Sequence, residues 1–148
     1  MKAEECILFQ LIRTTQSARK FLKTLIGSIG LTTTQSIVLN FLYDEDHLPA
    51  NILGEKAAID NATLTGLIDR LVSMGLVERQ ANPDDRRAIF ICLTEEGRMR
   101  AEKVNEFMNI YNREFLSMIS EGDETVFRDV LDKIHRYASS HVDRKHPV

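Results

Sequence analysis

Tryptophan is absent from this 148-residue chain, and cysteine occurs only twice. Cys6 and Cys92 lie far apart in no metal-like spacing, so two reduced, inert thiols are expected. His47, His135, His141 and His146 show no ligand spacing beyond a loose His135/His141 pair, and no metal site or cofactor is expected. No apolar run approaches the ~18–20 residues that span a bilayer. The opening Met1-Lys2-Ala3-Glu4-Glu5 carries two acids where a signal peptide wants a basic start. A cytoplasmic protein without a membrane partner is the expectation. Excess positive charge is lacking too: 19 Lys and Arg stand against 22 Asp and Glu, for a net charge of −3. Composition therefore does not announce nucleic acid, and an anion-binding surface must come from where the cations sit. The chain also lacks a phosphate-binding glycine loop and a nucleophile with a matched base, so it is not expected to be an enzyme.

What is present is a core. Hydrophobic residues make up 43% of the chain, too much for disorder. Apolar residues recur at helical steps over about Glu4–Ile29, until Gly30 stops the pattern. Thr32 and Gln35 form a capping box for a helix to about Tyr43, with Ile37, Val38, Phe41 and Leu42 as its buried stripe. Asp44–His47 is a polar break, and Leu48-Pro49 suits a short extended piece. A short helix over about Ala50–Ala58 follows, and Asp60 caps another over Asn61–Met74 that ends at Gly75. Leu76–Gln80 and Ala88–Leu93 read as the strands of a hairpin around the turn signal Asn82-Pro83-Asp84-Asp85. Thr94 caps a helix to about Ser120, with Val104, Met108, Tyr111, Phe115 and Ile119 on one stripe; Gly122 ends it. Asp123 can cap a last helix to about Ser140.

The fold class is mainly α with a small β-wing. One domain over 1–148 is expected, with a winged helix-turn-helix core at about 31–93 and long helices at 1–30 and 95–148. This small middle cannot cover the apolar stripes of those ends. A second copy of the chain can, which makes a homodimer the economical solution, with Ile7, Leu8, Leu11, Phe115, Ile119 and Ile134 in its interface.

On a helix at about 100° per residue, Leu64, Leu67, Ile68, Leu71 and Val72 share one face. Ala62, Gly66, Asp69 and Ser73 lie opposite, with Thr63 and Arg70 on one shoulder and Thr65 on the other. An interior glycine loses ~1 kcal/mol of helix propensity. Small residues on an outward strip make sense if something approaches closely. A major groove about 12 Å wide just admits a helix. Thr63 and Thr65 would then reach base edges or a thymine methyl, and Asn61 an adenine or a phosphate. The blander alternative is a packing glycine at Gly66 and a Thr63 that only supports the cap. At the hairpin tip, Asp84 can hold the guanidinium of Arg86 in place while Arg87 meets phosphate. The alternative there is a solvated charged turn. Arg70 and Arg79 are weaker candidates for backbone contact, and Glu95, Glu96, Arg98 and Arg100 read as surface charges of the next helix.

Asp84-x-Arg86, six residues, then Leu93-Thr94-x-x-Gly97 resembles the wing signature of the multiple-antibiotic-resistance regulator (MarR) family of winged-helix transcription factors. Leu31-Thr32-x-x-Gln35 looks like the start of that family's second helix, and Thr63–Leu71 followed by Gly75-Leu76-Val77 like its recognition helix. The resemblance covers essentially the whole chain. It implies a homodimer on pseudo-palindromic double-stranded DNA that usually represses, with release by a small ligand or cysteine oxidation. It assigns DNA contacts to Asn61, Ala62, Thr63, Thr65, Gly66, Arg70, Asp84, Arg86 and Arg87, with Arg86 in a narrow minor groove. The chain departs from the family pattern at Ala58, where glycine is common, at Ala62, where serine is common, and at Gly66, where arginine often sits. Fewer base contacts then leave more of the specificity to DNA shape.

For sensing, the family's usual option is a small aromatic or anionic effector, for which Arg13 and Arg19 could anchor a carboxylate. A redox-sensing repressor through Cys6 is the alternative, although Cys6 falls slightly early and Glu4 and Glu5 oppose a thiolate. The alternative from another class is a winged helix that binds protein and no DNA.

Overall fold

The computed structural model describes residues 2–81 and 89–141. The long first helix expected over Glu4–Ile29 is divided. A 3-10 turn at Ala3–Glu5 ends at Cys6, whose extended backbone (φ −71°, ψ 115°) separates it from α1, Ile7–Ile26. A second 3-10 turn, Gly27–Ile29, leads into Gly30. The helical periodicity runs through these junctions unchanged, which is why it could not reveal them.

The capping box places the next helix as expected. The Thr32 hydroxyl accepts from the Gln35 N–H at 3.3 Å, and Gln35 Oε1 accepts from the Thr32 N–H at 2.8 Å. That defines α2, Thr33–Asp44. Its deepest residues are Val38, Leu39 and Leu42, each 0% exposed. Leu39 takes the place expected of Ile37 and Phe41, which are half-buried. The pair Leu48–Pro49 forms β1, followed by α3, Ala50–Ala57, and α4, Asn61–Ser73. The hairpin is β2, Val77–Ala81, against β3, Ile89–Leu93, paired antiparallel from Val77↔Leu93 to Ala81↔Ile89. β1 adds a third strand on the other side of β3, with Leu48 opposite Ile91.

Next comes α5, Glu95–Leu116, and then α6, Glu121–His141. The helix expected to reach Ser120 ends four residues sooner. Ser120, not Asp123, caps α6: its Oγ accepts from the Asp123 N–H at 3.3 Å and donates to Asp123 Oδ2 at 2.6 Å. Gly122 therefore lies inside the first turn of α6 instead of ending α5.

The chain divides into two compact units, Met1–Phe107 and Met108–Val148. The core of the first unit joins Ile26, α2, Leu53 of α3, Leu64, Ile68 and Leu71 of α4, Ile91 of β3, and Ala101 and Val104 of α5. Burying each large aliphatic side chain here stabilises by roughly 1.5–3 kcal/mol. In the second unit no residue of α6 is buried. Its polar side carries i,i+4 pairs such as Arg128–Glu124 at 2.8 Å and Lys133–Asp129 at 2.6 Å. Its other side carries Phe127, Val130 and Leu131, all exposed.

Among the described residues no single helix is long and apolar enough to cross a membrane.

Candidate nucleic-acid interface

The turn into α4 sets which of its faces meets solvent. Ala58 adopts a left-handed backbone (φ 52°, ψ 45°) that costs an L-residue roughly 1 kcal/mol or more. Its neighbour Ile59 donates its N–H to the Gly54 carbonyl at 2.9 Å, which closes the end of α3. Asp60 then caps α4. Its Oδ2 accepts from the Thr63 hydroxyl at 2.7 Å and its Oδ1 from the Thr63 N–H at 2.9 Å. Those two bonds, the hydroxyl first, hold the Asp60 carboxyl below its ordinary value. The positive end of the helix is thus already answered by its own carboxylate.

Leu64, Leu67, Ile68 and Leu71 are buried at 8% exposure or less and seat the helix. Val72, expected on the same face, is 37% exposed. Asn61, Ala62, Thr63, Thr65, Gly66, Asp69, Arg70 and Ser73 are all exposed. The two threonines keep their hydroxyl hydrogens at home, Thr63 on Asp60 and Thr65 on the Asn61 carbonyl at 2.8 Å. A base edge would meet their methyl groups and lone pairs. Thr63 therefore does support the cap, whatever else it touches.

Gly66 resolves differently. A Cβ built there meets nothing within 4 Å, so it is not a packing glycine. Gly66→Ala is expected to raise stability by about 0.5–1 kcal/mol, because alanine favours a helix interior over glycine. If the strip enters a groove, the same methyl weakens DNA binding. Thermal or denaturant unfolding and a DNA titration on one preparation check both signs. A more stable variant with unaltered DNA affinity would remove Gly66 from the interface.

Arg79 of β2 does not project alone. Its Nη2 donates to Asp69 Oδ1 on α4 at 2.6 Å, tying the strand to the helix. Such an exposed pair contributes only ~0–1 kcal/mol, so its main effect is to orient both side chains. The tip residues Asp84, Arg86 and Arg87 lie outside the described residues. The hairpin's last described pair is Ala81 opposite Ile89.

Comparison with known proteins places this arrangement. The MarR family model matches residues 31–89. The organic hydroperoxide resistance transcriptional regulator of Bacillus subtilis is 31% identical over 103 residues, which cover 70% of each chain. The chain belongs to the MarR family. A probable transcriptional regulator from Pseudomonas aeruginosa superposes with a TM-score of 0.78 at 32% identity, over 90% of this chain and 99% of that one. The S. aureus MepR–DNA complex shares the fold with a TM-score of 0.81 at 19% identity, over 89% and 98%. This chain is thus a transcriptional regulator of MarR type with the winged-helix fold.

Several residues that hold this MarR-type core together escaped sequence reasoning. Asp46, within the polar break, accepts from the N–H of Leu93 and of His47 on Oδ1, both at 2.9 Å, and from Arg98 Nη2 on Oδ2 at 2.5 Å. Arg100 donates from Nη1 to the Ile29 carbonyl at 2.7 Å. Arg98 and Arg100 do lie at the surface as expected, with side chains 53% and 38% exposed, but they also anchor elements to one another. No local pattern marks them, because their partners lie 52 and 71 residues away.

The candidate sensor residues are dispersed. Cys6 is half-buried at the N-cap of α1. Cys92 is 1% exposed, and burial first, then the carboxylates of Asp46 and Glu78, push its thiol up. It belongs to the core. Arg13 borders two open cavities of about 300 and 480 Å³ along the start of α1, together with Glu4 and Gln10. Arg19 is exposed further along α1. Of the expected dimer residues, Ile7 and Leu8 are 60% and 62% exposed in the first unit and Leu11 is half-buried. In the second, Phe115 and Ile119 are 48% and 37% exposed and Ile134 is half-buried.

Proposed function

We propose that this MarR-type regulator is a homodimeric, sequence-specific DNA-binding repressor of nearby genes, acting in the cytoplasm on a pseudo-palindromic operator. The observation that carries it is the outward strip of α4. It is small-sided, open at Gly66 and backed by a face of buried leucines. That combination suits a helix laid deep in a major groove. In this reading Asn61, Ala62, Thr63, Thr65, Gly66 and Arg70 contact DNA from α4, and Asp84, Arg86 and Arg87 are further DNA contacts, with Arg86 assigned to the minor groove. The fold shared with MepR, whose structure is a DNA complex, supports DNA binding as such.

The division of labour is one domain over 1–148, with the winged helix at about 31–93 and dimerisation helices at 1–30 and 95–148. A dimer follows from the apolar side chains left uncovered on α1 and α6. Two protomers on adjacent half-sites, one helical turn apart, would cover promoter DNA and compete with transcription. A small aromatic or anionic effector relieves that binding, with Arg13 and Arg19 as carboxylate anchors.

The test is a titration of DNA from just upstream of the protein's own coding region at two salt concentrations, with Arg86→Ala alongside. Tight binding that weakens steeply with salt is expected, because each neutralised phosphate adds about −0.9 to the logarithmic slope. Arg86→Ala should lose affinity strongly. No specific, salt-sensitive binding to any fragment, with a protein partner captured instead, would favour the protein-interaction module.

One observation favours a second reading of the regulation. Cys6 is half-buried at the N-cap of α1, and a relative bears the name organic hydroperoxide resistance regulator. Release from DNA by an organic hydroperoxide, abolished in Cys6→Ser, would support it over ligand relief.

A further inference from the structure

The register of the small sheet creates a cluster that no sequence spacing announces. Leu48 lies opposite Ile91, so His47 falls beside Cys92, while Glu78 faces Cys92 from the other strand. One ligand atom from each of Asp46, His47 and Cys92 lies within 4.8 Å of the others. We propose that Asp46, His47 and Cys92 form a binding site for a borderline-soft divalent cation of the zinc class, at the base of the wing.

The donor set is one thiolate, one imidazole and one carboxylate, the combination that favours zinc over the hard cations magnesium and calcium. Three protein ligands leave a fourth tetrahedral position for water.

The surroundings are built for it. Cys92 is 1% exposed, and among the described residues no hydrogen bond reaches its sulfur. Asp46 is aimed by its neighbours: two backbone N–H groups fix Oδ1, and Arg98 fixes Oδ2. A carboxylate offers about four lone-pair positions, so one stays open for a cation. Outer partners of this kind orient metal ligands elsewhere. His47 holds a left-handed backbone (φ 59°) that keeps Nδ1 3.8 Å from Asp46 Oδ1. Its side chain is 55% exposed, which gives an ion a way in. On binding, the Cys92 S–H proton is released to solvent and the sulfur lone pair forms the new bond. No redox change or further reactant is involved.

The probe is cobalt(II), added to the reduced, chelator-stripped full-length protein. Expected is a near-ultraviolet thiolate-to-cobalt charge-transfer band that saturates at one ion per chain and is displaced by zinc. The band should be lost in Cys92→Ser and persist in Cys6→Ser. His47→Asn tests the site without touching a buried residue, since asparagine tolerates the left-handed backbone. It should weaken cobalt binding at least about tenfold, as loss of one ligand demands, while circular dichroism stays unchanged. Absence of the band, its survival in Cys92→Ser, its loss in Cys6→Ser, or unchanged affinity in a folded His47→Asn would each overturn the proposal. None of these outcomes bears on DNA binding.

Discussion

Replacing Gly97 with alanine is expected to cost roughly 3–5 kcal/mol of stability, the largest effect of any glycine-to-alanine change in this chain. A Cβ at Gly97 would lie 1.8 Å from the Leu76 carbonyl oxygen, 2.7 Å from its carbon and 3.2 Å from its Cα. All three are backbone atoms, so no side chain can swing aside. The contact is also pinned. The Thr94 N–H donates to the Leu76 carbonyl at 3.1 Å, and the Thr94 hydroxyl donates to the Gly75 carbonyl at 2.6 Å while accepting from the Gly97 N–H at 3.0 Å. Making room means drawing the start of α5 off the wing and breaking those bonds. Ordinary overpacking costs about 1–3 kcal/mol, and values above about 4 mark the loss of a network as well. Gly122→Ala is the control, because a Cβ there meets nothing within 4 Å. Denaturant midpoints at an unchanged slope measure both. A loss below about 1 kcal/mol at Gly97 would mean that α5 does not sit on Leu76 as described. The same contact explains why Leu93-Thr94-x-x-Gly97 could be read as a signature: Thr94 and Gly97 do work there that other side chains cannot.

The second large effect concerns the proposed dimer. Leu8→Glu should convert the protein to monomers at micromolar concentration and leave its helicity intact. Leu8 is 62% exposed in the single chain, so the substitution removes no core contact within it. In a symmetric interface each substitution counts twice. Losing a buried leucine is worth roughly 1.5–3 kcal/mol, and placing an unpaired carboxylate there adds more. Two sites together give about 6 kcal/mol, some four orders of magnitude in the dimer dissociation constant. Sedimentation velocity reads the mass, and DNA affinity should fall with it because only one half-site remains engaged. A dimer of unchanged stability would exclude this part of α1 from the interface.

What the sequence disclosed followed from local chemistry. Thr32 with Gln35, Asp60 as a cap, and the two hairpin strands each depend on residues a few positions apart, and the structure has them within a residue of where they were expected. The buried face of α4 was legible for the same reason, except at Val72 on its margin. What stayed hidden depends on distance along the chain. Asp46 looked like one acid in a polar break, yet it binds β3 and α5 at once. Arg98 and Arg100 follow the surface pattern of a helix start, and only the partners brought round by the fold make them anchors. Ser120 and Asp123 are both good caps in sequence, and the reciprocal bond between them decides for Ser120. β1, two residues long, was legible as a short extended strand, but its place as the third strand of the sheet was not, because pairing with Ile91 is invisible locally. The exposed strip of small residues on α4 was legible as a pattern, whereas the commitment of the Thr63 and Thr65 hydroxyls to the helix itself was not.

The most direct test of the central claim is hydroxyl-radical footprinting of the DNA fragment selected by titration. The expected result is protection in two segments about 10 base pairs apart, centre to centre, related by approximate two-fold symmetry, as two copies of α4 on one face of the duplex require. A single protected segment, or uniform protection without symmetry, would contradict a dimer that reads DNA through α4.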